Sequence, residues 1–146
     1  MKRLIFIICA VFLTAAVCAY DIKQGDTVKI TITINGKDTI SATLADNKSA
    51  QAFAELLKKG AITVNMHDYG NFEKVGSLPQ SLPRTDTQIT TAPGDIILYQ
   101  GNQITIYYDT NSWNFTRLAK VDGITQVQLK SILGTGNVTA VFALAE

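Results

Sequence analysis

The chain has 146 residues, 13 Lys and Arg against 12 Asp and Glu, one His and two Cys. This length suits a single domain, and 47% apolar with 17% charged residues excludes a disordered chain. A formal charge of +1 excludes the strong basic field of a dedicated nucleic-acid binder.

Lys2 and Arg3 precede the apolar run Leu4 to Leu13 and the small-residue stretch Thr14 to Ala19. Charge, apolar block and small residues in that order are the pattern of a secretory leader. The block is too short for a membrane span, which needs about 20 apolar residues. Val17 and Ala19 suit the two small positions before a cleavage site, so the expected boundaries are a leader over 1–19 and one domain over 20–146. The minor alternative is a lipid anchor at Cys18, although Val17 stands where a smaller residue is wanted. The expected location is outside the cytoplasm, in a periplasm, at the cell surface or extracellular. Removing the leader takes away two basic residues and both Cys, leaving 11 basic against 12 acidic side chains and no thiol. Thiol nucleophiles, thiolate metal sites and disulfides are then excluded.

In chain order, TVKITITI (27–34) alternates apolar and polar residues and predicts a half-buried strand. Asn35-Gly36 predicts a type I′ turn into a second strand at 39–44. Asp46, Asn47 and Ser49 offer helix N-caps before AQAFAELLKK, whose Ala50, Phe53, Ala54 and Leu57 form one apolar stripe ending at Gly60. Residues 61–66 predict a strand. From His67 to Gly94 the chain reads as irregular, with one short strand hidden near Val75 or Ile89. A second hairpin is expected over 95–99 and 103–109, then a short strand at 117–121, a helix at 125–133 and a closing strand at 137–145. So many antiparallel strands avoid exposed edges by closing, so the expected fold is mainly β: a closed antiparallel β-barrel with two flanking α-helices.

The stretch VKITITINGKDTISATLADNKSAQAFAELLKKG resembles the opening of the cyclophilin fold, a hairpin, Ala-Asp, a cap and a helix with a buried Phe. TRLAKVDGITQVQLKSI resembles the family's strand leading into its second helix, with Ala119-Lys120-Val121 in place of Gly-Lys-Val. EKVGSLPQSLP (73–83), GDIILY and TNSWNFTRL are similar to small exported bacterial cyclophilin-like proteins. The resemblance implies a cyclophilin-like barrel and, for the isomerases of the fold, a guanidinium that polarises the prolyl nitrogen. The strand matching the one that carries the isomerase Arg is AITVNMHD, which has none, and the Phe-x-x-Gln-Gly-Asp segment is missing. Trp113 stands near the place of the family's groove tryptophan, with Phe115 near that of its His. A divergent prolyl isomerase would have to draw on Arg84 or Arg117, the two Arg outside the leader.

Among chemistry-bearing residues, His67-Asp68 is the one His beside a carboxylate, read as a strand-end His capping a turn. One His and no Cys in the mature domain imply no zinc site, and no cofactor is implied. Glu73-Lys74 either points Glu73 into a groove or pins the long loop to the barrel. Tyr99, Tyr107, Tyr108, Trp113 and Phe115 crowd into seventeen residues. Of Tyr107 and Tyr108, strand alternation sends one into the barrel and the other to the surface. The expected function is a non-enzymatic binding module. Its peptide or small-molecule ligand would lie between the 67–94 loop and the aromatic region, against His67, Glu73, Tyr99, Trp113, Phe115 and Arg117.

Overall fold

The structure, a computed structural model, describes residue 23 and residues 25–146. The expected leader over 1–19, the cleavage site before Tyr20 and Cys18 lie outside the described residues. Alternation in the first apolar segment produces β1 (Lys29–Ile34), with Ile30, Ile32 and Ile34 buried. Asn35 and Gly36 take φ angles of 53° and 66°, and the Lys37 N–H donates to the Ile34 carbonyl at 3.0 Å. The chain thereby turns back into β2 (Asp38–Leu44).

Of the three possible caps, Asn47 starts α1 (Lys48–Lys58): its Oδ1 accepts from the Ala50 N–H at 2.8 Å. Its Nδ2 donates to the Arg117 carbonyl at 2.8 Å, so the cap also ties the helix to the barrel wall. The apolar stripe of α1 faces inward, and Phe53 meets Phe142 edge-on with ring centres 6.0 Å apart.

Residues 67–94 are more regular than expected. β3 (Ile62–Tyr69) runs three residues past Met66, and strands occur near both Val75 and Ile89, as β4 (Glu73–Ser77) and β5 (Thr87–Thr90). Glu73, Lys74, Val75 and Gly76 are all buried, so β4 lacks the two-residue alternation by which a half-buried strand is recognised. β6 (Asp95–Tyr99) and β7 (Gln103–Tyr107) form the second hairpin, turned at Gln100 and Gly101 with φ of 53° and 79°. β8 (Ser112–Val121) has ten residues, twice the expected strand. Thr125 and Gln128 form a capping box on α2 (Gln126–Leu133), and β9 (Val138–Leu144) closes the chain.

The strands pair antiparallel in the order β2-β1-β9-β3-β4-β7-β6-β8, and β8 pairs back with β2 through Ala42↔Val121 and Leu44↔Ala119. Eight strands therefore close into a barrel. β5 lies outside it, paired with the first half of β8 through Ile89↔Trp113. The interior is packed with aliphatic side chains such as Ile32, Val64, Ile96, Ile104 and Leu118. α1 packs near Phe142, and α2 adds Leu129 and Leu133 to the same core from the end where β9 begins. A second, smaller cluster of Ile97, Tyr107 and Phe115 sits apart from this core, with Phe72, Ile89 and Tyr99 packed against it. Among the described residues no helix is long and apolar enough to cross a membrane.

Candidate binding site on the outer barrel face

The pleat of β4 sends Glu73 and Lys74 to opposite faces. Lys74 points inward and is fully buried: its Nζ lies 3.0 Å from Asp68 Oδ1 and donates to the Gly136 carbonyl at 2.7 Å. The Tyr108 hydroxyl donates to the same Asp68 oxygen at 2.5 Å. Desolvation raises the Asp68 pKa, but the bonds from Tyr108 and Lys74 outweigh it and hold the carboxyl below its ordinary value. Burial and the Asp68 charge together push the Tyr108 hydroxyl well up. This trio ties β4 to β3 and to the turn before β9.

Glu73 points outward, opposite Tyr69 in β3 and Tyr107 in β7. It lies in a cleft of about 460 Å³ on the outer face of β3, β4 and β7 and the start of β8. Val75, Tyr107 and Phe115 line the cleft beside it, with His67, Tyr69 and Phe72 from the β3–β4 hairpin. Tyr99, Gln103, Asn111 and Trp113 complete the lining. The rings form a continuous run. Tyr69 meets Phe72 edge-on at 5.9 Å, and Phe72 stacks on Tyr107 at 5.9 Å with planes 3° apart. Tyr107 packs on Phe115 at 5.7 Å, and Phe115 on Tyr99 at 6.3 Å. Trp113 is 62% exposed, held at the rim by the β5–β8 pairing.

The Glu73 carboxyl is the polar centre of this apolar wall. Its residue is 7% exposed, and Oε2 is enclosed with no hydrogen-bond partner among the described residues. Burial raises its pKa above the ordinary glutamate value; the neighbouring Tyr107 hydroxyl and His67 favour ionisation, and Asp68 opposes it. Burial, with Glu73 adjacent, raises the Tyr107 hydroxyl in turn.

Of the six residues singled out from sequence, His67, Glu73, Tyr99, Trp113 and Phe115 line this one cleft, and Arg117 does not. Arg117 Nη2 donates to Asp95 Oδ2 at 3.2 Å, while Lys120 Nζ lies 3.1 Å from the other Asp95 oxygen. Asp95 is 3% exposed and also accepts from the Ala92 N–H at 2.8 Å, so the two cations neutralise a buried carboxylate that shapes the turn before β6. Arg84 pairs with Asp86 on an exposed loop.

Three expectations are corrected here. His67 is an exposed residue inside β3, opposite Val75, rather than a turn cap at a strand end. The cleft lies between the two segments expected, but its 67–94 side is built by strands β3 and β4 rather than by a long loop. Neither tyrosine of the pair reaches the surface: Tyr108 joins the barrel core, and outward-facing Tyr107 is covered by Phe72 and Phe115 to 1% exposure. The unexpected members Tyr69 and Phe72 flank Gly70 and Asn71, whose φ values are 60° and 57°. This is the same positive-φ turn signal that marks Asn35-Gly36. A Cβ on Gly70 would lie 2.3 Å from the Phe72 ring, so glycine lets that ring fold back over the cleft.

No group of three His, Cys, Asp or Glu able to hold a metal ion occurs among the described residues. No curated protein matches the chain. The sequence model of the Cyclophilin-like family matches residues 32–143, from the first hairpin into the last strand, and the chain belongs to that family.

Proposed function

We propose that this protein is exported by the leader at 1–19 and acts, without catalysis, as a binding module whose peptide or small-molecule ligand lies in the outer-face cleft. The observation that carries this reading is an aromatic-walled cleft of about 460 Å³ that no arginine among the described residues lines. Its volume lies in the range of about 300–1,000 Å³ typical of small-ligand sites. Prolyl isomerisation must overcome a barrier of about 20 kcal/mol, which an electrophile at the prolyl nitrogen lowers. Arg84 and Arg117, the two guanidinium groups outside the leader, are paired with Asp86 and Asp95 instead. That pairing counts against the divergent isomerase.

The test has two halves. In a cis/trans assay on X-Pro peptides, whose uncatalysed exchange takes tens to hundreds of seconds, the protein is expected to give no acceleration. In a calorimetric screen of peptides and small molecules, Tyr99→Ala and Trp113→Ala are expected to weaken whatever binds by roughly tenfold, about 1.4 kcal/mol. Catalysed isomerisation, or ligands indifferent to both substitutions, would overturn the reading.

A further inference from the structure

Among the described residues six carboxylates lie within 3.4 Å of a Lys or Arg nitrogen, and Glu73 is not one of them. Asp68 has Lys74 at 3.0 Å, and Asp95 has Lys120 at 3.1 Å and Arg117 at 3.2 Å. Exposed Asp109 and Asp122 have Lys130 at 3.4 Å and Lys29 at 2.8 Å. Glu73 and Asp95 are the two buried acids among the described residues, and Glu73 has no Lys or Arg partner. Its chain neighbour Lys74 is turned away into the barrel, and His67, the one basic side chain lining the cleft, is exposed.

The rings repeat the pattern. Lys74 and Lys130 both sit over Tyr108, at 5.7 and 5.8 Å from its centre. Among the described residues no cation lies over Tyr69, Phe72, Tyr99, Tyr107, Trp113 or Phe115. Aromatic faces attract cations through the ring quadrupole, most strongly where water is excluded. A buried carboxylate without a counter-charge is costly, and a ligand that supplies the charge recovers that cost on binding.

We propose that the cleft takes an organic ammonium group, quaternary or protonated, seated against the aromatic run with Glu73 as its counter-charge. This rests on the cleft being the binding site and names the chemistry of its ligand. The ammonium belongs either to a free small amine or to a lysine side chain of a peptide.

The test uses the fluorescence of Trp113, the single tryptophan of the chain, which stands at the rim. The probes are choline, Nα-acetyl-lysine-N-methylamide and 3,3-dimethylbutan-1-ol, the uncharged isostere of choline. At least one cation is expected to bind tenfold or more tightly than the isostere, and Glu73→Gln is expected to abolish that preference while circular dichroism stays unchanged. A preference for choline assigns the site to free amines, and a preference for the lysine amide to peptides. An isostere that binds as well as choline would overturn the proposal, and that comparison needs only the unaltered protein. So would a preference that survives Glu73→Gln. In either case the cleft still binds, and only the charge assignment falls. If no probe binds but uncharged compounds from the calorimetric screen do, the ammonium proposal fails alone. If nothing binds in the cleft, both readings fail.

Discussion

Glu73 and Lys74 are adjacent in β4, yet one charge is satisfied inside the barrel and the other is left facing the outer cleft. The pleat alone separates them. The consequence for pH dependence follows from Glu73, which Tyr107, His67 and Asp68 face. Its pKa is raised above 4.5 in the fold, so the folded chain holds this proton more tightly than the unfolded one. The stability this gives is fully present below the unfolded value and is lost as pH rises through the folded pKa. Glu73→Gln, which cannot ionise, is therefore expected to raise Tm at pH 7 by about 3 °C and to change it little at pH 4. Thermal unfolding at the two pH values checks this, and a lowered Tm at pH 7 would contradict it. A substitution that stabilises the fold while removing ammonium binding would mark Glu73 as kept for function.

At the scale of elements, strand β4 shows what could and could not be read from the chain. β1 and α1 announce themselves because each has one wet face, so Ile30, Ile32 and Ile34 recur every two residues and Ala50, Phe53, Ala54 and Leu57 follow the helical turn. β4 has no wet face over Glu73 to Gly76, since the barrel covers one side and the aromatic run the other. Its alternation is erased for that reason. The site residues were accessible only in part on the same grounds. Glu73, Tyr99, Trp113 and Phe115 stand out by residue type, but the face each occupies depends on register between strands distant in sequence, such as Glu73↔Tyr107. Arg117 stood out as the nearest guanidinium, and its engagement by Asp95 across β6 and β8 is again a matter of register. Gly76 is the position where β4 depends most on its residue type. A Cβ there would lie 2.5 Å from both the Asn65 carbonyl oxygen and Val64 Cγ1, and backbone cannot yield as a side-chain tip can. Gly76→Ala is expected to destabilise by about 1–3 kcal/mol in denaturant titration, through overpacking against Val64 and Asn65 of the neighbouring strand β3. A neutral result would mean that β3 and β4 are less closely apposed.

At the scale of the whole molecule, barrel closure separates the main core from the cleft. The main core is sealed between eight strands and the two helices, while the cleft lies on the outside of one part of the wall. Changes to rim residues such as Trp113 can alter the cleft without opening the core, which packs on the inner side of the barrel wall. The most direct measurement of the central claim is a backbone-amide NMR titration of the isotopically labelled protein with choline and with peptides from the binding screen. The account predicts shifts concentrated at Tyr69, Glu73, Gln103, Asn111 and Trp113, with the distant wall around Thr31 and Thr43 in β1 and β2 unmoved. Shifts centred instead on the polar hollow around Asn35, Asn65 and Asn137, or spread evenly over the barrel, would contradict it.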